Sequence, residues 1–335
     1  RFIDNSKREN YLFNSSINGI EEADLILLIG ANPRFEATMI NARIRKAYLS
    51  NNTKVVSLND LGDLTYSYQS LNGKVKTIKD IFENNNELSK EIIESKKPMI
   101  VFGESFFKIK SASYLFNLSK KFLSKNNKLN DDWNPINILS VDASTVGNLD
   151  LDIIDKSNKI LDELHENKFE IIFLLGQDNL DFKKKDEFII YQGSHGDRGA
   201  EIADIILPGA AYTEQSGHYT NLEGKLQKAY KASYPPGDAK EDWQIINDLA
   251  EVMNNRKLFN DKDELESSMF NYLKMNKDQQ NSELEDKLNE SDFADEFLKV
   301  DYKDYYFSNV IARSSKTMLE CNNAKIDLKK TGTEG

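Results

Sequence analysis

The chain has 335 residues, a net charge of −11 and a single cysteine. A domain averages roughly 100–200 residues, so this length allows about two domains and a sizeable core. The acidic balance leaves no basic face for nucleic acid, no apolar run reaches the roughly 18 residues of a membrane span, and the lone Cys321 excludes internal disulfides and a cysteine-ligated cluster held by this chain alone.

Arg1 stands where a Met would open a chain, with no signal-peptide pattern behind it, so a processed, split or shortened polypeptide is expected. Leu25 to Ile29 is apolar at every position and stops at Gly30-Ala31-Asn32-Pro33, which predicts a central parallel strand covered on both faces. Arg34 to Leu49 follows at helical spacing, with Phe35, Met39, Ile44, Ala47 and Tyr48 expected inward. Arg43, Arg45 and Lys46 crowd its second half, where cations suit the helix dipole. Lys54 to Leu58 is the next strand and completes a βαβ unit. A dinucleotide fingerprint needs three glycines in the first turn, and Gly30 stands alone. The turn is therefore expected to be structural, although Asp60 lies where a ribose could be met.

Ile78 to Lys96 predicts a helix or helix pair interrupted at Asn84-Asn85-Asn86, and Met99 to Gly103 another strand. Ser111 to Leu123 is an amphipathic helix with Tyr114, Leu115, Leu118 and Phe122 as core positions. Asn126 to Pro135 is a polar connection around Trp133, and Ile136 to Val141 a short strand. Asp150-Leu151-Asp152 is expected as a solvated turn before another helix. Strands follow at Glu170 to Gly176, Phe188 to Gly193 and Ile202 to Leu207. Strands alternating with helices predict an α/β class, with parallel sheets covered by helices on both faces. The expected division is an α/β domain over 1–150 and a second α/β domain over 151–254, completed by a partner or by an amino-terminal part. A polar helical spacer and docking tail would occupy 255–335.

Candidate chemistry is sparse. His165, His195 and His218 are far apart and match no metal-ligand spacing. Ser194, His195 and Asp197 offer the residue types of a hydrolase triad, but sequence neighbours rarely converge on one point, and no G-x-S-x-G elbow exists. Neither His195 nor His218 is expected to be catalytic. After Tyr234-Pro235-Pro236-Gly237-Asp238, a turn, a helix begins near Trp243 with Ile245, Ile246 and Leu249 inward. Residues 255–300 are polar with few apolar positions, so poor packing or extended helix is expected there.

The wording of particular segments says more. Glu201 to Gln227, EIADIILPGAAYTEQSGHYTNLEGKLQ, resembles the ADxxLP…E…G…TN.EGR.Q segment of the molybdopterin oxidoreductase family, with Lys225 where most members have Arg. GANPRFEA (30–37), NARIRKAYL (41–49), DLTY (63–66) and the Pro235-Pro236-Gly237-x-Ala239-x-Glu241-Asp242-Trp243 pattern narrow this. So does the closing run through Asp304-Tyr305-Tyr306-Phe307-Ser308-Asn309 to Met318. Together they resemble the large iron–sulfur 75 kDa subunit family of respiratory complex I, in its carboxyl-terminal, molybdopterin oxidoreductase-like half.

The resemblance implies doubly wound parallel sheets of the formate dehydrogenase/DMSO reductase-like type, with a mostly helical carboxyl-terminal extension. In molybdenum members the second strand commonly ends in Asp-Pro-Arg, which helps hold the guanine dinucleotide; here it ends Ser57-Leu58-Asn59-Asp60. The resemblance therefore implies no cofactor in this chain and no catalytic or metal-binding residue, with iron–sulfur clusters and FMN on partner chains. Implied partners are the cluster-bearing amino-terminal half of the same subunit as a separate chain, the flavin-bearing subunit and other peripheral-arm subunits, with no nucleic acid. Tyr305, Tyr306 and Phe307 would form the docking tail. The implied place is the matrix side of the mitochondrial inner membrane, or the cytoplasmic side of a bacterial one. Two other readings stay open at this point: a molybdopterin-guanine-dinucleotide oxidoreductase fragment, and a small-ligand-binding α/β domain.

Overall fold

The structure is a computed structural model that describes residues 4–155, 159–177, 180, 183–279, 292–302 and 305–331. Two units emerge. The first comprises Arg1–Ile154, Tyr219–Gln227 and Tyr272–Tyr302, and the second Asp155–His218, Lys228–Asn271 and Lys303–Gly335.

In the first unit the chain forms β1 (Leu25–Ile29), α1 (Pro33–Glu36), α2 (Thr38–Asn51), β2 (Lys54–Ser57), β3 (Gln69–Ser70), α3 (Val75–Phe82) and α4 (Glu87–Glu94). It continues with β4 (Pro98–Gly103), α5 (Ala112–Lys125), β5 (Ile136–Leu139) and α6 (Thr145–Asp150). The strands pair in parallel in the order β3-β2-β1-β4-β5. Every residue of β1 is buried, because successive side chains point to opposite faces and both faces are covered. Leu25, Leu27 and Ile29 join one core with Ile78, Ile92 and Leu115, and Ile26 and Leu28 join another with Ile40 and Ile44. Each such side chain contributes about 1.5–3 kcal/mol on full burial. The expected core positions of α5, Tyr114, Leu115, Leu118 and Phe122, are all buried. The helix pair is interrupted where the asparagines stand: Asn84 takes a left-handed conformation and the Asn86 side chain caps α4 by accepting from Leu88 N at 2.9 Å.

Three expectations for this unit fail. The helix read over Arg34 to Leu49 breaks at Ala37, whose φ of −153° is non-helical. The break resets the helical phase, so Phe35 and Met39 point out, Met39 with 75% of its surface exposed, and α2 buries Ile40, Asn41, Ile44 and Ala47. Asp150 is no solvated turn: it ends α6 with its side chain only 6% exposed, held by a cation. Within the stretch expected to pack poorly, Leu298 is fully buried in the first core.

The second unit holds α7 (Ile160–His165), β6 (Ile171–Leu175), β7 (Phe188–Gly193), α8 (Arg198–Ile202) and β8 (Ile205–Pro208), and β6-β7-β8 form a parallel sheet. A hairpin follows, β9 (Gly217–Thr220) and β10 (Leu226–Ala229), with residues 219–227 counted in the first unit. Then come α9 (Asp242–Asn254), α10 (Lys262–Gln279, counted in the first unit from Tyr272 on), a 3-10 turn at Tyr305–Phe307, α11 (Val310–Ser314) and α12 (Lys316–Thr331).

Ile202, expected to open a strand, instead ends α8, because Asp197 caps that helix through Arg198 N at 2.8 Å. Ile246 and Leu249, expected inward on α9, are exposed, and the helix buries Asn247 and Ala250. The reason is polar: Asn247 binds the following loop, accepting from Leu258 N and Phe259 N and donating to Phe259 O, all within 2.8–3.0 Å. Helices on both faces describe the first sheet but not the second. There Leu174, Ile189 and Tyr191 are buried against Ala200 and Ile202, while Ile171, Leu175, Phe188 and Ile205 on the other face are exposed.

Candidate functional site

A doubly wound sheet binds ligands outside the carboxyl ends of its strands, where the strand order reverses. In the order β3-β2-β1-β4-β5 that point lies between β1 and β4. β1 ends at Gly30, which turns with φ +68°, and Asn32 then caps α1, its side chain accepting from Arg34 N at 3.2 Å while Pro33 starts the helix.

The chain itself fills this crevice. A Cβ at Gly30 would lie 2.5 Å from Phe106 N, and one at Gly103 would lie 2.2 Å from Gly30 O, so both strand ends and the Phe106–Lys108 turn touch through backbone. Phe106 is fully buried and packs on Phe102 at 4.6 Å. The segment 292–302 straps the same edge. Ser105 Oγ both donates to Asp301 O at 3.1 Å and accepts from Asp301 N at 3.0 Å, and Asn59 Nδ2 donates to Leu298 O at 2.7 Å. Leu298 N in turn donates to Gly73 O, Val75 N donates to Glu296 O, and Tyr302 stacks on Phe35 at 4.6 Å.

Two carboxyl groups, Glu36 and Glu104, and the Lys108 ammonium interact at this edge. Glu36 receives the Asn32 N–H, yet burial, with added repulsion from Glu104, pushes its carboxyl up to about 7. Asn59 Oδ1 is buried without a partner among the described residues. A dinucleotide's diphosphate needs converging N–H donors and open backbone at the turn. An orphan acceptor and a turn filled by Phe106 offer the diphosphate neither donors nor room, so the residues at this edge do not fit the pterin dinucleotide of molybdenum oxidoreductases. Among the described residues, no group of three or more His, Cys, Asp or Glu is placed to hold a metal ion.

The family-like TNLEG stretch does mechanical work. Asn221 folds the hairpin tip, accepting from Glu223 N and Lys225 N at 3.1 and 2.8 Å, and Gly224 turns with φ +79°. Three backbone or carboxylate groups of the tip are then gripped by the chain's first residues. Arg8 Nη2 donates to Gly224 O at 2.7 Å, Phe13 N to Leu222 O at 2.8 Å, and Ile17 N to Glu223 Oε1 at 2.8 Å. A Cβ at 224 would strike the Arg8 guanidinium, so glycine is required for the approach as well as the turn. The same guanidinium takes Asp150 in a two-atom grip, and this hydrogen bond raises the already high Arg8 pKa. Arg8 and Asp150, missed in the sequence, carried no motif; only their separation by 142 positions in the chain and 2.8 Å in space reveals them.

The Ser-His-Asp group does not assemble. Ser194 Oγ and His195 Nδ1 lie 2.9 Å apart on an exposed loop, but Asp197 binds Arg313 Nε at 2.6 Å and Arg198 N. His218 sits edge-on to Phe270, 3.9 Å from Glu266. Arg313 also donates to Phe307 O at 3.2 Å, so one guanidinium links Asp197 to the Tyr305–Phe307 turn within the second unit. In that segment Tyr306 and Phe307 are half-buried, with Lys325 Nζ 5.4 Å from the Tyr306 ring; the Tyr305 side chain lies outside those described. No helix among the described residues is long and apolar enough to cross a membrane.

The parallel sheets and their switch point are those of a molybdopterin oxidoreductase fold, and the family model described as "Molybdopterin oxidoreductase" matches residues 2–252. The chain belongs to that family. Its closing part, residues 264–321, matches a second model, that of the carboxyl-terminal region of an NADH-ubiquinone oxidoreductase subunit. Relatives agree. The chain is 37% identical over 327 residues to the NADH-ubiquinone oxidoreductase 75 kDa subunit of Reclinomonas americana, covering 94% of this chain and 47% of that one. It is equally 37% identical to the mitochondrial 78 kDa subunit of Candida albicans, over 94% and 45% of the two chains. An NADH-quinone oxidoreductase subunit of Rickettsia bellii is 37% identical as well, over 98% and 48%. The chain thus spans about half the length of the relatives it matches.

Proposed function

We propose that this chain is a structural, non-catalytic part of the peripheral, NADH-oxidising arm of complex I. It supports the cluster-bearing half of the large iron–sulfur subunit while electrons pass from NADH toward ubiquinone. The observation that carries the reading is the filled switch point. At the reversal of strand order, where sheets of this kind bind ligands, Phe106 packs against the Gly30 backbone and the 292–302 segment straps the same edge, which supports a site given up rather than a cofactor cradle. Fold has been kept while the chemistry has been given up, which the fold itself permits.

On this reading the chain holds no cofactor of its own, and the iron–sulfur clusters and FMN sit on partner chains. The partners are the cluster-bearing half and the flavin-bearing subunit, with Tyr305, Tyr306 and Phe307 as a docking tail. The chain lies on the matrix face of the mitochondrial inner membrane, or on the cytoplasmic face of a bacterial one. Two α/β domains, 1–150 and 151–254, would share the supporting role, while the 255–335 region contributes both the 292–302 strap of the first unit and the docking tail.

Native separation of gently solubilised respiratory membranes, followed by mass spectrometry, tests this. The expected result is migration of the chain with NADH-oxidising activity in a large particle beside a cysteine-rich companion sequence. A free species carrying molybdenum overturns the proposal in favour of an enzyme, and a free species without it in favour of a ligand-binding domain.

A further inference from the structure

The sheet of the second unit has one covered face and one bare face. Ile171 pairs in register with Phe188, Phe173 with Ile190, and Ile190 with Ile205, and residues in register share a face. On that face Ile171, Phe173, Leu175, Phe188 and Ile205 are all exposed, Ile171 by 65%. The opposite face buries Leu174, Ile189 and Tyr191 and leaves Ile206 exposed on the edge strand β8. At the carboxyl end of the bare face the buried Gln192 donates to Asp242 at the start of α9 at 2.9 Å. There Leu207, with Ile245, Leu249 and Val252 of α9, lines an open groove of about 660 Å³.

A parallel sheet with one dry face is incomplete. Its strands are apolar on both sides because helices normally cover both, and a contiguous apolar patch of this kind marks an interface. We propose that this face, with the groove beside α9, is the seat of a helical segment from the amino-terminal half of the large subunit. The inference rests on the function proposed above and adds which surface does the supporting.

The occupant follows from length and layer. The chain covers 45–48% of the relatives' lengths, and its end matches a carboxyl-terminal model, so about half of each relative lies ahead of the matched part. A helix is the layer that parallel strands require, and the groove beside α9 sets a second helix alongside the first at ordinary packing distance, about 8–10 Å between axes. The first sheet is already covered on both faces, so among the described residues it is the second that lacks a layer.

The test replaces Phe173 by p-benzoylphenylalanine in the full chain, within its own cells, and maps the photo-adducts after purification. Adducts on peptides of the cysteine-rich half are expected. Adducts on another subunit, on a second copy or on the chain's own first unit overturn the inference, as does the lack of any adduct. In parallel, Ile171→Glu and Phe188→Glu place charge on exposed positions, so an unchanged melting temperature is expected for the isolated chain. Recovery of the cysteine-rich half with the chain should then fall about 30-fold or more, as loss of a central apolar anchor does. Undiminished recovery overturns the inference. If the unsubstituted chain does not migrate with the NADH-oxidising particle, the functional reading itself fails; if it does and Phe173 labels another neighbour, only the surface is wrong.

Discussion

Arg8 closes on Asp150 through two atoms, Nε to Oδ1 at 2.9 Å and Nη2 to Oδ2 at 2.8 Å, and reaches Gly224 O at 2.7 Å with the same Nη2. Tyr11 OH donates to the same carboxylate at 2.8 Å. The grip joins the first residues, the end of α6 and the hairpin tip, three segments far apart in sequence. Its value lies in what its removal exposes. Arg8→Ala leaves the Asp150 carboxylate buried without its cation, which costs about 3 kcal/mol in urea unfolding. Replacing both by apolar residues, Arg8→Met with Asp150→Leu, should cost much less. Equal losses for the single and the double variant would show that the pair does not act as a unit.

Gly30 and Gly62 share a left-handed backbone, with φ of +68° and +70°. They differ in surroundings: a Cβ at 30 meets Phe106 N at 2.5 Å, and one at 62 meets nothing within 4 Å. Gly62→Ala should therefore lose only the conformational term, about 1 kcal/mol, and Gly30→Ala about 3 kcal/mol by adding the clash. Thermal unfolding of the two variants side by side separates conformation from close approach. Similar losses would mean that the switch point is less tightly filled than these contacts require.

Glu36 gives the chain a pH dependence. Its carboxyl titrates near 7 when folded, raised by burial and by Glu104 from its ordinary value of 4.5. Between those values the folded state holds the proton more often than the unfolded state, so stability falls as pH rises through that window. Because the group is only partly buried, the change is discounted to about 1–2 kcal/mol. Glu36→Gln should flatten the profile from pH 4.5 to 7 while leaving stability at pH 4.5 nearly unchanged. A profile that keeps its slope in the variant assigns the effect elsewhere.

Leu298 anchors the strap in the first core and is fully buried. Leu298→Ala should cost about 2–5 kcal/mol and loosen the edge that Asn59 and Ser105 hold. Faster hydrogen exchange at Asp301 N and at Leu298 N, with β1 still protected, is the expected signature. Exchange that rises equally across the sheet would mean that the strap is not a separable layer.

The docking role proposed for Tyr305, Tyr306 and Phe307 makes a prediction about assembly. Anchors buried at a hot spot are worth about 2–4 kcal/mol each, so changing all three to alanine should release the chain from the NADH-oxidising particle in native gels. Intact migration of the triple variant would remove the docking role of this segment.

Much of this was legible in the sequence because it depends on neighbours in the chain. A strand apolar at every position, Leu25 to Ile29, can only be stable with both faces covered, and the structure buries all five residues. The asparagines at 84–86 stop one helix and cap the next through bonds that span two residues. The motif wording placed the chain in its family without any knowledge of contacts. What failed depended on distant partners or on one backbone angle. Ala37 breaks a helix that the apolar spacing carried through, and so turns Met39 outward. Asn247 claims the inner face of α9 because a loop eleven and twelve residues on needs its amide, so Ile246 and Leu249 face out.

The sequence by itself thus determined class, strand order of appearance and family, since these follow from local periodicity and from ordered motifs. Tertiary structure alone decided that Asp150 is buried against Arg8, that Phe106 and Leu298 pack at the carboxyl edge of the first sheet, and that the second sheet keeps a bare face. The physical reason is common to all three. Charge pairing, cavity filling and layer completion are set by groups brought together only when the chain closes on itself, and no pattern along the chain encodes their approach.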